Sequence, residues 1–257
     1  MLLDAALAAA RVGAAYVRTR SGDLASLDWQ HKSRADFVSE VDLGAEQRIA
    51  ESLLAAVPEA RVVGEELTPT LATGDGVAFV VDPLDGTTNF LHGFPAYAVS
   101  IAAMAEGALQ AAVVLDIPRD VAWTAALGQG THRDGTPVRV SGIAEPVRAL
   151  VGTGFPFKDL DAVAPYLPQF ARVISQVAGV RRAGSAALDL AHVAGGQFDG
   201  FWELSLAPWD MAAGTLLIRE ARGRVTDLAG HDIAPGHGPV VASNGVLHPW
   251  LLAQLTP

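Results

Sequence analysis

The chain has 257 residues, half of them hydrophobic and 18% charged, so a sizeable core can form and disorder is disfavoured. It has no cysteine, which excludes a disulfide framework and any thiolate metal ligand or nucleophile. A formal charge of −10 is the opposite of the basic footprint of a nucleic-acid binder.

The first twenty residues, MLLDAALAAARVGAAYVRTR, place Asp4 inside their apolar part and lack a basic start. They read as an amphipathic helix with Leu3, Leu7, Ala10 and Ala14 on one stripe, not as a secretory signal. No stretch approaches the roughly 18 apolar residues of a membrane span, so a soluble cytoplasmic protein is expected. A second helix is predicted over Glu40–Val57, with Leu43, Ile49, Leu53 and Leu54 inward and Pro58 beyond its end. RVVGEE then reads as a short strand ending at Glu65, and VAFVV as a buried strand ending at Asp82. Residues 96–116 read as a hairpin of two buried strands turning at Glu106-Gly107, and the strand-and-turn pattern continues with a tight turn at Asp134-Gly135.

Beyond about residue 145 the pattern changes. LVGTGFPF is a strand opening into a loop, and residues 161–178 are mostly helical despite Pro165 and Pro168. SAALDLAHVAGGQFDGFWE supplies a helix closed by Gly195-Gly196 and a strand ending at Glu203. PWDMAAGTLLIREARGRVTDL gives a helix capped by Asp210 and a further strand. Helix and sheet alternate throughout, which predicts a layered α/β protein. One domain over 1–257 is expected, with possible halves 1–145 and 146–257.

Five acids lie beside glycines, threonines or element ends: Asp42, Glu65, Asp82, Asp85 and Asp210. Singly, Asp85 is a turn residue, Asp210 a helix cap, and Asp42 and Glu65 solvated positions. Asp82 resists that account because it ends a strand buried on both faces. If the acids converge, they must raise one another's pKa or gather cations. With oxygen ligands only and no HExxH spacing among the seven histidines, Mg²⁺ fits such a cluster and zinc does not. Gly86 then leaves room for a phosphate oxygen at the backbone. Thr87 and Thr88 offer amides and hydroxyls at a short helix start. The pattern calls for a phosphate ester and a water.

DPLDGTTNF together with PWDMAAG resembles the paired signature of the inositol monophosphatase family of Mg²⁺-dependent, Li⁺-sensitive phosphatases. DFVSEVD, GEE, GSAALDLAHVAGG and GFWE agree in family order, so the resemblance spans roughly residues 32–245. It implies a five-layer αβαβα sandwich and a homodimer. It also implies two or three Mg²⁺ ions: one on Glu65, Asp82 and the Leu84 carbonyl, another on Asp82, Asp85 and Asp210, and a loosely held third near Glu65. By the same resemblance Thr87, paired with Asp42, orients the attacking water, and the amides of Gly86 and Thr87 take the phosphate. Asp85, the Gly184-Ser185-Ala186 backbone and Glu203 would meet the hydroxyls of a polyol. Lys32 and Ser33, within HKSRAD, lie where the family has a loop over the site.

Thr88 stands where branches acting on 3′-phosphoadenosine nucleotides or histidinol phosphate commonly have lysine. The expected activity is therefore hydrolysis of inositol 1-phosphate or a similar polyol phosphate by in-line attack of a metal-activated water. The same chemistry on histidinol phosphate, fructose 1,6-bisphosphate or a nucleotide is the alternative. A non-catalytic binding module with a vestigial site is the remoter one. Trp202 and Trp209 are read as core, and Arg181-Arg182 as solvated or at a subunit interface rather than bound to an anionic ligand.

Overall fold

The structure, a computed structural model, describes residues 1–22, 24, 29–33, 36–70, 76–157 and 159–256, except for the side chains at 29, 31–33, 36 and 37. Helices α1 (Leu2–Arg20) and α2 (Glu40–Ala56) flank an antiparallel hairpin of β1 (Trp29–Ser33) and β2 (Asp36–Ser39). Seven strands follow: β3 (Arg61–Gly64), β4 (Val77–Asp85), β5 (Ala98–Ala105), β6 (Ala108–Asp116), β7 (Val121–Ala126), β8 (Thr131–Arg133) and β9 (Thr136–Val138). They form one sheet in chain order, with β3 and β4 parallel and the other neighbours antiparallel. A short helix, α3 (Thr87–Leu91), leaves the end of β4.

The second sheet contains β10 (Leu150–Thr153), β11 (Gly179–Arg181), β12 (Gly200–Leu206), β13 (Arg224–Thr226) and β14 (Gly238–Ser243). Its order is β11-β10-β12-β14-β13. Helices α4 (Val163–Ile174), α5 (Ala186–Ala194), α6 (Pro208–Glu220) and α7 (His248–Leu255) complete the chain.

Strand periodicity assigns the layers. In β4 to β6, Phe79, Val81, Val99, Ile101, Val113 and Leu115 pack with α1 and α2 on one face of the first sheet. Their neighbours Val80, Ala98, Ala102, Ala112 and Val114 point the other way, into a core shared with α5, α6, Phe201, Val240 and Ala242. Trp202 and Val241, again one residue out of phase, face the far side of the second sheet with Tyr166, Val173, Leu251 and Leu255 of α4 and α7. The result is the αβαβα sandwich, with α5 and α6 as its central layer. Both predicted hairpin turns are present, with positive φ at Glu106 (52°) and Gly107 (75°) and at Asp134 (47°) and Gly135 (76°). No helix among the described residues is long and apolar enough to cross a membrane.

Several predicted boundaries shift. β4 runs on to Asp85 and β12 to Leu206, in each case past a register irregularity, because the pairing partner follows the bend. α4 is shorter than the predicted 161–178, and no element had been placed beyond Leu228, where β14 and α7 lie. Lys32 and Ser33, expected in a loop, have their backbone on β1, and their side chains lie outside the described residues.

The predicted inward face of α2 is corrected. Leu43 and Leu54 are 41% and 40% exposed, while Val41, Ala45, Ile49 and Leu53 are buried. At about 100° per residue, Asp42 and Glu46 fall on that same inward stripe. Both acids are 1% exposed, so a hydrophobicity count misplaced the face. Ile49→Ala should lower the unfolding free energy by about 2–5 kcal/mol, whereas Leu54→Ala should change it by less than about 1 kcal/mol. Urea denaturation of the two variants reads this directly, and equal losses would contradict the assigned face.

Candidate active site

Glu65 follows the last residue of β3, and its N–H donates to Val81 O at 3.2 Å, so it stands beside β4 just before Asp82. In a regular strand Asp82 and Asp85 would face opposite sides. The register irregularity between them removes that constraint. Carboxylate oxygens of Asp82, Asp85 and Asp210 all lie within 4.8 Å of one another. Asp210 reaches them from the first turn of α6, where it accepts from the Ala207 N–H at 2.7 Å. It is therefore the third residue of the helix, accepting from the backbone of the cap, and not the cap itself; Ala207 holds that position.

Burial and the charges of Glu65, Asp85 and Asp210 push the Asp82 carboxyl well above the usual range. Asp82 Oδ1 accepts from the Leu84 N–H at 2.9 Å, a partial offset. Asp85 is raised to about 6, chiefly by burial, against hydrogen bonds donated by Ser185 Oγ (2.5 Å) and the Ala187 N–H (2.8 Å). Those two bonds tie the end of β4 to the start of α5, where Ser185 is the cap.

Gly86 adopts φ 95°, and a Cβ there would meet Ala96 O at 2.8 Å, so only glycine fits this turn into α3. The next residue, Thr87, has its hydroxyl 2.7 Å from Asp42 Oδ1 and 3.1 Å from Leu84 O. One hydroxyl proton can serve only one of those acceptors at a time. Asp42 Oδ2 accepts from Ser39 Oγ (2.5 Å) and the Ser39 N–H (2.9 Å). Burial raises the Asp42 pKa, and the Ser39 and Thr87 bonds oppose it.

These groups meet in a cavity of about 310 Å³ lined by Glu65, Asp82, Leu84, Asp85, Gly86, Thr87, Gly184, Ser185, Ala186, Glu203 and Asp210. Asp42 stands behind Thr87. Every site residue singled out in the sequence is thus at the cavity or bonded to a residue that lines it. Glu203 lies against the Gly154 backbone, where a Cβ would fall 2.0 Å from its carboxyl carbon.

Three residues were not assigned to the site from the sequence. Arg182, expected to be solvated or at a subunit interface, lines the cavity and stacks its guanidinium over Phe157 (5.0 Å) and Phe155 (5.7 Å). Asp189 also lines the cavity. Its Oδ1 has no hydrogen-bond partner among the described residues, and burial, then Glu203 and Asp85, raise its pKa strongly. The third is Glu46, on α2. No quoted motif contains Arg182 or Glu46, and Asp189, although inside GSAALDLAHVAGG, sits on a helix otherwise explained by periodicity. The two tryptophans are core as expected: Trp202 is fully buried and stacked on Tyr166 at 5.9 Å, and Trp209 is 9% exposed.

The fold and cavity together define a layered αβαβα protein with an acid-lined pocket where one sheet meets the helices of the central layer. The chain belongs to the inositol monophosphatase family, whose sequence model matches residues 1–256. A protein named Nus factor SuhB from Pseudomonas aeruginosa is 44% identical over 260 residues, covering all of this chain and 96% of that protein. An inositol-1-monophosphatase from Rhizobium meliloti is 44% identical over 223 residues, covering 87% of this chain and 84% of its own. The crystal structure of extragenic suppressor protein SuhB from Bartonella henselae superposes with a TM-score of 0.93 at 37% identity, covering 98% of this chain and 97% of that one.

Ser185→Ala should leave Asp85 Oδ2 with a single donor and destabilise the chain by about 1–2 kcal/mol. Chemical denaturation checks this; an unchanged midpoint would show that the bond between β4 and α5 contributes nothing.

Proposed function

We propose that the protein is a Mg²⁺-dependent phosphomonoesterase acting on inositol 1-phosphate or a similar small polyol phosphate. The observation that carries this reading is the convergence of Asp82, Asp85 and Asp210 within 4.8 Å, beside a Thr87–Asp42 hydrogen bond of 2.7 Å. Asp82 and Asp85, with raised proton affinity, and Asp210 beside them offer hard oxygen donors that suit Mg²⁺. In this reading Glu65, Asp82 and the Leu84 carbonyl hold one ion, Asp82, Asp85 and Asp210 a second, and a third sits loosely near Glu65. Bound cations neutralise ester charge and make a water more acidic.

The chain's own groups do the rest. Thr87, donating its proton to Asp42, presents oxygen lone pairs that orient a water for direct attack on phosphorus. Ser39 holds the Asp42 charge in place with two hydrogen bonds. The amides of Gly86 and Thr87 meet the phosphate. Ser185 commits its hydroxyl to Asp85, so the Gly184-Ser185-Ala186 stretch meets substrate through its backbone. Glu203 and the free face of Asp85 accept the hydroxyls of the leaving group. A homodimer belongs to the same reading, and sedimentation tests it.

Arg182 on the cavity wall favours, as a second reading, an ester carrying another anionic group, such as fructose 1,6-bisphosphate or a nucleotide. The relatives' names also divide between Nus factor and inositol-1-monophosphatase, which makes a non-catalytic role the rival to be tested. The complete acid set supports catalysis.

Phosphate release from a panel of esters, with Mg²⁺ and with chelator, decides among these. Inositol 1-phosphate should be cleaved only with Mg²⁺, and Asp82→Asn should abolish turnover while the fold persists. No release from any ester would leave the rival reading. Protons compete with the cation for Asp82 and Asp85, so Mg²⁺ affinity should fall as pH is lowered through about 6. In the cation-free protein the raised carboxyls make stability fall as pH rises from 3.8 through about 6. Added Mg²⁺ should therefore raise Tm by several degrees at pH 7.5 and by much less at pH 5. A Tm gain independent of pH would contradict binding at these acids.

Thr87→Ala should lower kcat by roughly 10²–10⁴-fold with KM little changed, since it removes the group that orients the water. An equal rise in KM with kcat intact would instead make Thr87 a substrate-binding residue.

A further inference from the structure

Helix α2 carries a second buried carboxylate one turn beyond Asp42. Glu46 is 1% exposed and is not among the residues that line the cavity. Its Oε2 accepts from the Glu66 N–H at 2.7 Å and its Oε1 from the Leu67 N–H at 2.9 Å. These are the two amides immediately after Glu65. On the other side the carboxylate rests on Gly64: a Cβ there would lie 2.1 Å from Oε1 and 2.3 Å from the carboxyl carbon.

The segment around Glu65 is thus held from two directions. The Glu65 N–H reaches Val81 O on β4, while the next two N–H groups reach Glu46 on α2. Thr68 closes the loop, its Oγ1 accepting from the Gly64 N–H (3.1 Å) and donating to Val62 O (3.0 Å). Two of those three N–H groups end on the single Glu46 carboxyl group. Asp42 and Glu46 are four residues apart on one helix face. A single rigid element therefore fixes the Thr87 hydroxyl through Asp42 and the Glu65 backbone through Glu46.

We propose that Glu46 is a positioning residue: its carboxylate fixes the backbone from which Glu65 reaches the acid cluster, and so sets the cation affinity of the pocket without contacting the cation. The proposal rests on the cation reading of the cluster given above. Partners one step removed from a metal commonly change its affinity by 10–100-fold. If Glu46 served the fold alone, its loss would lower stability and leave the affinity of the folded protein unchanged.

Two variants of the full chain attack the contact from opposite sides. Glu46→Gln sets an amide N–H against a backbone N–H, and Gly64→Ala displaces the carboxyl group while keeping both of its oxygens. Titration calorimetry with Mg²⁺ should show affinity reduced about 10–100-fold in both, with Leu43→Ala on the outer face of α2 unchanged. Hydrogen exchange at the Glu66 and Leu67 amides should quicken in both variants and slow in the wild type when Mg²⁺ binds. Folded variants that bind Mg²⁺ as tightly as wild type would overturn the role of Glu46. Should neither variant fold, wild-type amides at 66 and 67 that exchange no more slowly with Mg²⁺ would overturn it. A wild-type chain that binds no Mg²⁺ would instead overturn the cation reading itself.

Discussion

Negative charge gathered out of water is the constraint from which the rest of the site follows. Two unit charges at 4–5 Å repel by roughly 3–4 kcal/mol at an effective dielectric near 20. Asp82, Asp85 and Asp210 approach one another within 4.8 Å, and Glu65 adds a fourth charge that raises Asp82 and Asp85. A stability of some 5–15 kcal/mol cannot absorb several such repulsions among fully ionised groups. Protons or cations held among the acids relieve that repulsion. Arg182, a cation on the cavity wall among the described residues, stacks on two phenylalanines.

The architecture holds these charges together by fastening each to a different layer. Asp42 belongs to the outer helices, Glu65 and Asp82 to the first sheet, and Asp210 to the central helices. Asp85 bridges two layers through Ser185 and Ala187. Ser100 of β5 adds a second fastening, donating to Trp209 O at 3.2 Å beside Asp210. Such cross-layer bonds resist the separation that repulsion favours. They also explain why polar groups as buried as Ser100 and Ser185 are present between the layers.

The central strands and turns of the first sheet were legible because continuous apolar runs and turns such as Asp134-Gly135 determine them locally. The acids at Asp82 and Asp85 were legible because a buried strand seldom ends on two carboxylates. α2 was misread for the same physical reason that makes it functional. Its inward stripe contains Asp42 and Glu46, and a hydrophobic count awarded those places to Leu43 and Leu54. Glu46 left no trace in sequence because its partners are backbone amides, which any residue can supply. Arg182 and Asp189 reach the cavity through the course of β11 and α5, which depends on packing between sheets, not on nearby sequence. β14 and α7 are short, and the Gly-rich stretch before β14 gave no periodic cue.

The central claim is that the three converging carboxylates exist to share a divalent cation. Crystals soaked in Mn²⁺, a hard divalent ion that scatters anomalously, would locate that charge without any assay of turnover. The account predicts an anomalous peak in contact with carboxylate oxygens of Asp82, Asp85 and Asp210. No peak there, with the carboxyls hydrogen-bonded to one another through shared protons, would contradict it.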